Sequence, residues 1–223
     1  GFTIQKSIDL LENYDDVFLT INLMPTHLPY TFNQKQKQEY LPNTSSHQID
    51  KLTSEGSAYV YDLELTDKEK KIRRDAYKAS ISYLESKIYD LIDKSPEETY
   101  FVFLGDHGEL LGERTLDGHN LYGHHFGTFD ELIEVPILVY PKVEEVDLQS
   151  LSDHTQVNKL LLSIARNKSY SSSMNSVRSE YYGKDGLNEF LGLDSPPKPL
   201  FQRKSFSILN DRVKYELATE GSY

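Results

Sequence analysis

The run FVFLGDHGELLGE, Phe101 to Glu113, sets a carboxylate and an imidazole side by side where a strongly apolar strand ends. Five apolar or aromatic residues, Tyr100 to Leu104, lead into Gly105. A glycine lets the backbone turn sharply, so Asp106 and His107 are expected to project from the strand's carboxyl end. In open α/β sheets that edge is where ligands bind. A hard oxygen beside a borderline nitrogen can hold a divalent cation such as Zn²⁺, Mn²⁺ or Ca²⁺. Two ligands are too few to close a site, and on these two alone the chain is expected to hold such an ion weakly. An isolated Asp-His pair more often caps a turn or sits satisfied at the surface. Here the surroundings favour a site, because His107, His119, His124 and His125 place four of the seven histidines within nineteen residues of a Gly-rich stretch.

That stretch leads into FDELIEVPILVYP, Phe129 to Pro141. It reads as an acidic segment followed by a second apolar strand, with Pro136 near the strand's start, where a missing N–H is tolerated. Upstream, VFLTINLMPTHLPYTF spans Val17 to Phe32, and Asp16 to Leu23 is a strand candidate, apolar on both faces as a parallel strand between helix layers is. Downstream, LSDHTQVNKLLLSIA spans Leu151 to Ala165 and predicts a short helix around Thr155 to Ala165. These three segments, in this order, resemble the sulfatase branch of the alkaline phosphatase superfamily. The family pattern runs strand, S/G-D-H-G-E, Gly/His loop, Y/F-D-E and a V-P-hydrophobic strand, matched here by GDHGELLGE, GHH, FDE and EVPILVY. Its upstream T-H-x-P-Y/F is matched by THLPY, and the resemblance covers roughly Asp16 to Ala165.

The resemblance implies roles for particular residues. Asp106 and His107 would be metal ligands, and His27 of THLPY would contact sulfate or phosphate oxygens. His124 would fill the family's His or Lys position near the leaving group, with His125 as its alternate and His119 as a weaker candidate. His47 and His154 read as structural or solvent-facing. The implied activity is metal-dependent hydrolysis of an anionic sulfate ester, with Ca²⁺ as the ion in a sulfatase and Zn²⁺ or Mn²⁺ in a phosphatase or transferase. Family members begin with a strand of acidic metal ligands and then a nucleophile, in sulfatases within C/S-x-P-x-R. This sequence has no Cys and no such segment. It is expected to be the C-terminal half of the catalytic domain and inactive by itself, since nucleophilic catalysis needs an activated group at the reacting centre. Phosphoester hydrolysis or phosphoethanolamine transfer is the alternative within the superfamily, and a non-catalytic remnant or binding module the alternative outside it.

Composition bounds the partners. The 223 residues are 38% hydrophobic and 26% charged, as expected of one globular domain with at most a small appendage. The net charge of −11 argues against nucleic-acid binding, which wants a basic face. It also means that an anionic ester is attracted only locally, by metal and positive side chains. No run approaches the roughly 18 apolar residues of a membrane span. The absence of Cys excludes disulfides and leaves the compartment open, a soluble cytoplasmic location being favoured. Loss of the first strands of the sheet would leave an unpaired edge, predicting self-association or assembly with the missing N-terminal half.

The predicted fold is α/β, a mostly parallel sheet flanked by helices, with a small C-terminal antiparallel β appendage. Residues 1–166 form the α/β part, 167–200 a Ser/Pro-rich linker or loop, and 201–223 a hairpin. Asn33 to Gly56 is polar and reads as an insertion or loop. Thr66 and Glu69 form a capping box opening a helix from Asp67 to about Asp93. Its stripe Tyr77, Ile81, Leu84, Ile88 and Leu91 is expected to pack on the sheet and complete a right-handed βαβ crossover with the Asp16 strand. Asn167 to Glu180, rich in serine, reads as a loop, and Phe206 to Leu217 as a hairpin turning at Asn210 and Asp211.

Overall fold

The computed structural model describes residues 2–54, 65–116, 119–124, 127–148, 153–172, 174, 176–181, 204–210 and 213–219. They belong to two compact units, one made of Gly1–Thr99 with Leu111–Tyr122, the other of Tyr100–Leu110 with Gly123–Tyr223. The first unit is organised around a long helix. Helices α1 (Phe2–Asn13), α2 (Gln34–Tyr40) and α3 (Ser46–Thr53) each pack against α4 (Asp67–Asp93). The capping box at its start is formed: Thr66 Oγ1 accepts from the Glu69 N–H at 3.3 Å, and Glu69 Oε2 accepts from the Thr66 N–H at 2.9 Å. The Thr66 hydroxyl also donates to Glu69 Oε2 at 2.7 Å, and this bond first, then that from the Thr66 N–H, holds the Glu69 carboxyl below the ordinary glutamate range.

The buried face of α4 differs from the expected stripe. Ile72, Arg73, Ala76, Ala79, Ser80 and Leu91 are buried, whereas Ile81 is exposed and Tyr77, Leu84 and Ile88 are only half-buried. Small residues at 76, 79 and 80 let neighbouring helices approach closely, so the helix turns Ala and Ser inward and leaves part of its larger stripe outside. The core gathers Leu28, Tyr30, Leu41, Ile49, Leu52, Leu65, Ile72, Ala76 and Tyr122. Three of these come from the polar stretch expected to be a loop. Asn33 caps α2 and Ser45 caps α3 through side-chain oxygens, and Leu41, Ile49 and Leu52 supply the apolar anchors that make two short helices worth forming. β2 (Leu110–Leu116) pairs with β3 (His119–Gly123), and all but Leu110 and Gly123 of this pair belongs to the first unit. Arg73 lies over the Tyr122 ring, 4.7 Å from its centroid, and burial raises the Tyr122 phenol while the guanidinium opposes the shift.

The strand expected at Asp16 to Leu23 is not formed, and Phe18 is 76% exposed. Apolarity specifies that a segment be buried, but a strand also needs neighbours for its N–H and C=O groups, and no described strand lies in that role. The βαβ crossover that depended on it is absent among the described residues, and α4 packs on helices instead.

In the second unit β1 (Phe101–Leu104) pairs antiparallel with β4 (Ile137–Tyr140), Leu104 opposite Ile137 and Phe101 opposite Tyr140. Val102, Ile137, Val139, Val146 and Leu148 pack on Leu160, Ile164 and Tyr170. Leu160 and Ile164 belong to α6 (Val157–Ala165), entered through a single 3₁₀ turn at His154–Gln156, which places the predicted short helix where its sequence put it. The turn and helix α5 (Asp130–Ile133) lie on either side of β4 in sequence. The serine-rich stretch holds two strands rather than a loop: β6 (Tyr170–Ser171) pairs parallel with β5 (Val146–Asp147), and β7 (Val177–Tyr181) joins β8 (Lys204–Asn210) and β9 (Val213–Thr219) in an antiparallel sheet. The hairpin is therefore found, with Asn210 in β8 and paired to Val213 rather than in the turn as expected; residues 211–212 lie outside the described residues. The mixture of helix and strand agrees with the α/β expectation at that level. A mostly parallel sheet is not seen among the described residues, where β5–β6 is the parallel pair and the other pairs with a described register run antiparallel. No described helix is long and apolar enough to cross a membrane.

Replacing Thr66 by Ala removes the hydroxyl acceptor of the capping box and is expected to destabilise the protein by about 1 kcal/mol. Urea denaturation followed by far-ultraviolet circular dichroism measures this, and an unchanged midpoint would show that α4 is held by packing alone.

Candidate active site

The loop that follows β1 is tied to the segment before β4 by two main-chain bonds. Gly105 N–H donates to Pro136 O at 3.1 Å, and Gly108 N–H donates to Leu132 O at 2.9 Å. Gly108 is required here for space: a Cβ would stand 1.8 Å from the Glu131 carbonyl oxygen. Gly105 is less confined, with a Cβ 3.0 Å from Val135 Cβ, a tight contact with a side chain rather than with backbone. The opposite side of the loop is held by His154, whose Nε2–H donates to Gly105 O at 2.9 Å. The acidic segment is anchored in turn by Lys214 of β9, which donates to Thr128 O and to Asp130 Oδ1, the latter at 2.5 Å.

This clamped loop presents Asp106 and His107 just beyond the end of β1, as the sequence predicts. Asp106 Oδ1 accepts the His107 N–H at 3.0 Å, and the Asp106 carboxylate is 87% exposed. His107 Nδ1 bonds the Gly108 carbonyl at 2.9 Å. A carbonyl can only accept, so Nδ1 carries the proton and the neutral ring has its lone pair on Nε2, 3.8 Å from Asp106 Oδ2. His124, which follows β3, stacks on His107 with ring centroids 4.0 Å apart and a 31° tilt. Its Nδ1 bonds Glu109 Oε2 at 2.9 Å, both side chains being largely withdrawn from solvent at 19% and 11% exposure.

Sequence reasoning thus brings together Asp106, His107 and His124, and the structure adds Glu109. The donor atoms of His107, Glu109 and His124 lie within 4.8 Å of one another. Glu109 went unnoticed although it stands in the same D-H-G-E run, two residues from His107, the spacing that puts side chains on one side of an extended chain. His27 lies in the first unit, exposed in a turn closed by His27 N–H to Met24 O at 3.0 Å, with Nδ1 on Leu28 O at 2.6 Å. His119 opens β3, and His125 lies outside the described residues.

A hard carboxylate and a borderline imidazole 3.8 Å apart can share one divalent ion, since metal–donor bonds are about 2.0–2.6 Å. The tautomer fixed by Gly108 turns the His107 lone pair to the correct atom for it. An imidazole already hydrogen-bonded to a carboxylate, as His124 is, can move a proton to or from a reacting oxygen. Together these groups place a carboxylate, two imidazoles and a second carboxylate in one cluster at the carboxyl end of β1 in an α/β chain.

The chain belongs to the sulfatase family: the family model described as Sulfatase matches residues 3–179. It is similar to a choline-sulfatase of Rhizobium meliloti, with 30% identity over 114 residues, covering 44% of this chain and 22% of that protein. A structure from Bacteroides thetaiotaomicron whose own assignment as a sulfatase is inferred aligns over 97% of this chain and 48% of its own, at 13% identity and a TM-score of 0.46. The matches span less than half the length of either relative.

Gly108→Ala forces a methyl group into the Glu131 carbonyl, and the expected cost is about 2–3 kcal/mol. Chemical denaturation measures the loss, and the histidine resonances of His107 and His124 should shift in the ¹H–¹⁵N spectrum of the folded fraction. Wild-type stability would mean that the loop and the α5 segment are not held together as described.

Proposed function

We propose that this chain is part of the catalytic domain of a sulfatase that hydrolyses an anionic sulfate ester with the help of a divalent metal. The observation that carries the reading is the His107–His124 pair, with Glu109 behind it, standing at the end of β1 in the family's D-H-G-E run. Asp106 and His107 are the residues that would hold the ion, and when bound it supplies Lewis-acid polarisation of the ester and stabilisation of a nucleophile's negative charge. His107 meets that role through Nε2, because Gly108 O occupies Nδ1–H. His124 is oriented by Glu109 through Nδ1, so in the protonated ring Nε2–H is the donor toward the leaving alkoxide oxygen. His27, whose Nδ1–H is directed to Leu28 O, is the family's candidate for contacting the sulfuryl oxygens, a role that also needs a proton on Nε2. His125 is the alternate to His124.

The nucleophile belongs to a segment that this sequence does not contain, and the unit boundaries 1–166, 167–200 and 201–223 go with that reading. The exposed apolar residues Val17, Phe18 and Met24, in an extended segment of strand-like composition, support it, since such a segment gains its stability from neighbours on both sides. The similarity to a choline-sulfatase makes quaternary-ammonium sulfate esters a reasonable first substrate class, beside aryl sulfates.

The test is hydrolysis of choline sulfate, an aryl sulfate and an aryl phosphate by the complete gene product and by the 223-residue chain. The complete product is expected to prefer sulfate, and the chain by itself to stay at the buffer rate. His124→Ala is expected to slow the alkyl ester about 10²–10⁴-fold and the aryl ester, with its better leaving group, far less. Preference for phosphate would turn the assignment to a phosphoesterase, and a complete product without turnover would leave a binding module.

A further inference from the structure

We propose that His107, Glu109 and His124 together form a binding site for a transition-metal ion of the Zn²⁺ class, distinct from the Asp106–His107 pair. Filling it takes His124 away from the leaving group, so such ions inhibit. The inhibitory consequence rests on the sulfatase reading; the binding site does not.

Three observations carry the site. The first is reach: one side-chain donor atom from each of the three residues lies within 4.8 Å of the other two. Two metal–donor bonds of about 2.1 Å span at most about 4.2 Å, so small rotations of these side chains bring the set within reach of one ion. The second is protonation geometry. Each imidazole donates Nδ1–H to an oxygen that can only accept it when ionised or carbonyl, Gly108 O for His107 and Glu109 Oε2 for His124, each at 2.9 Å. Both rings therefore carry their lone pairs on Nε2, and a metal-ligating histidine characteristically has its other N–H on a carbonyl or carboxylate in this way. Glu109 can serve through its second oxygen or as the group that orients His124. The third is burial. Glu109 and His124 are 11% and 19% exposed, which weakens competition from water for the carboxylate.

Reach alone would also admit Ca²⁺, whose bonds run to about 2.6 Å, so the donor atoms decide the class. Two imidazoles and one carboxylate suit Zn²⁺ and its neighbours, whereas Ca²⁺ takes six to eight oxygens. The Asp106–His107 pair shares His107 but brings one hard oxygen and no second ring. Loading of the nitrogen-rich set thus places His124 Nε2 on the ion, where it has no lone pair or proton to give a substrate.

Equilibrium dialysis and titration calorimetry of the tag-free 223-residue chain with Zn²⁺, and separately with Ca²⁺, test this without any substrate. One equivalent of Zn²⁺ is expected to bind, unaffected by an excess of Ca²⁺. His124→Ala and Glu109→Gln should each weaken it roughly 10-fold or more, and His47→Ala, at an exposed position of α3, should leave it unchanged. X-ray absorption on the zinc-loaded wild-type chain should show two imidazoles, a readout that needs no variant to fold. Equal affinity of wild type and His124→Ala, displacement by Ca²⁺, loss with His47→Ala, or fewer than two imidazoles on zinc would each overturn the site. In the complete gene product, Zn²⁺ is expected to inhibit ester hydrolysis. Stoichiometric binding with undiminished turnover would overturn the inhibitory role, while absence of turnover in zinc-free buffer supplied with Ca²⁺ would count against the sulfatase reading and leave the binding result standing.

Discussion

The contact of the Gly108 backbone with Glu131 and Leu132 is the constraint on which the site depends. A side chain at 108 would collide with a carbonyl oxygen, and the Gly108 N–H bond to Leu132 O fixes the loop at the same point. With Gly105 held to Pro136 one strand-end away, the four residues from 105 to 108 have little freedom. That rigidity aims His107 and, one residue beyond the clamp, Glu109. The D-H-G run and the V-P strand are joined at the same point, where Pro136 offers its carbonyl to Gly105 and needs no N–H of its own.

The second unit places its chemistry on a small scaffold. β1 and β4 share one face with α6, and Val102, Ile137 and Val139 alternate toward Leu160 and Ile164. Function is then written on what projects past the strand end. The His107 and His124 rings face each other at 4.0 Å, close enough for competition between two uses of the same imidazole. A proton donor needs the His124 imidazolium and a metal ligand the neutral ring, and in both forms Glu109 holds Nδ1–H and leaves Nε2 as the outward atom.

The first unit shows how far a polar sequence can be ordered by a few anchors. Asn33 and Ser45 satisfy the first N–H groups of α2 and α3, and Leu41, Ile49 and Leu52 bury against α4. Alanines and a serine on α4 let these helices approach. Periodicity counted the large residues of α4, of which Leu91 is buried and Ile81 exposed, and missed Ala76, Ala79 and Ser80, because close helix packing rewards small side chains that carry no hydrophobic signal.

Local chemistry was legible in the sequence. The capping box at Thr66, the length of α4, the turn at Gly105 with Asp106 and His107 beyond it, the α6 helix and the β8–β9 hairpin all depend on residues within a few positions of one another, and the family's motif order is likewise a property of the linear chain. Tertiary structure decided what depends on partners distant in sequence. The Asp16 to Leu23 segment has the composition of a buried strand, but pairing is a property of neighbours and none is described beside it. The serine-rich stretch became β6 and β7 because other strands supplied their ladders. Glu109 joined His124 across fifteen residues because the loop and β3 bring them to 2.9 Å, and no local pattern states that distance. The sequence by itself determined which residues can hold a cation or move a proton; the fold decided which of them meet, since only three-dimensional packing sets the separation on which coordination and proton transfer depend.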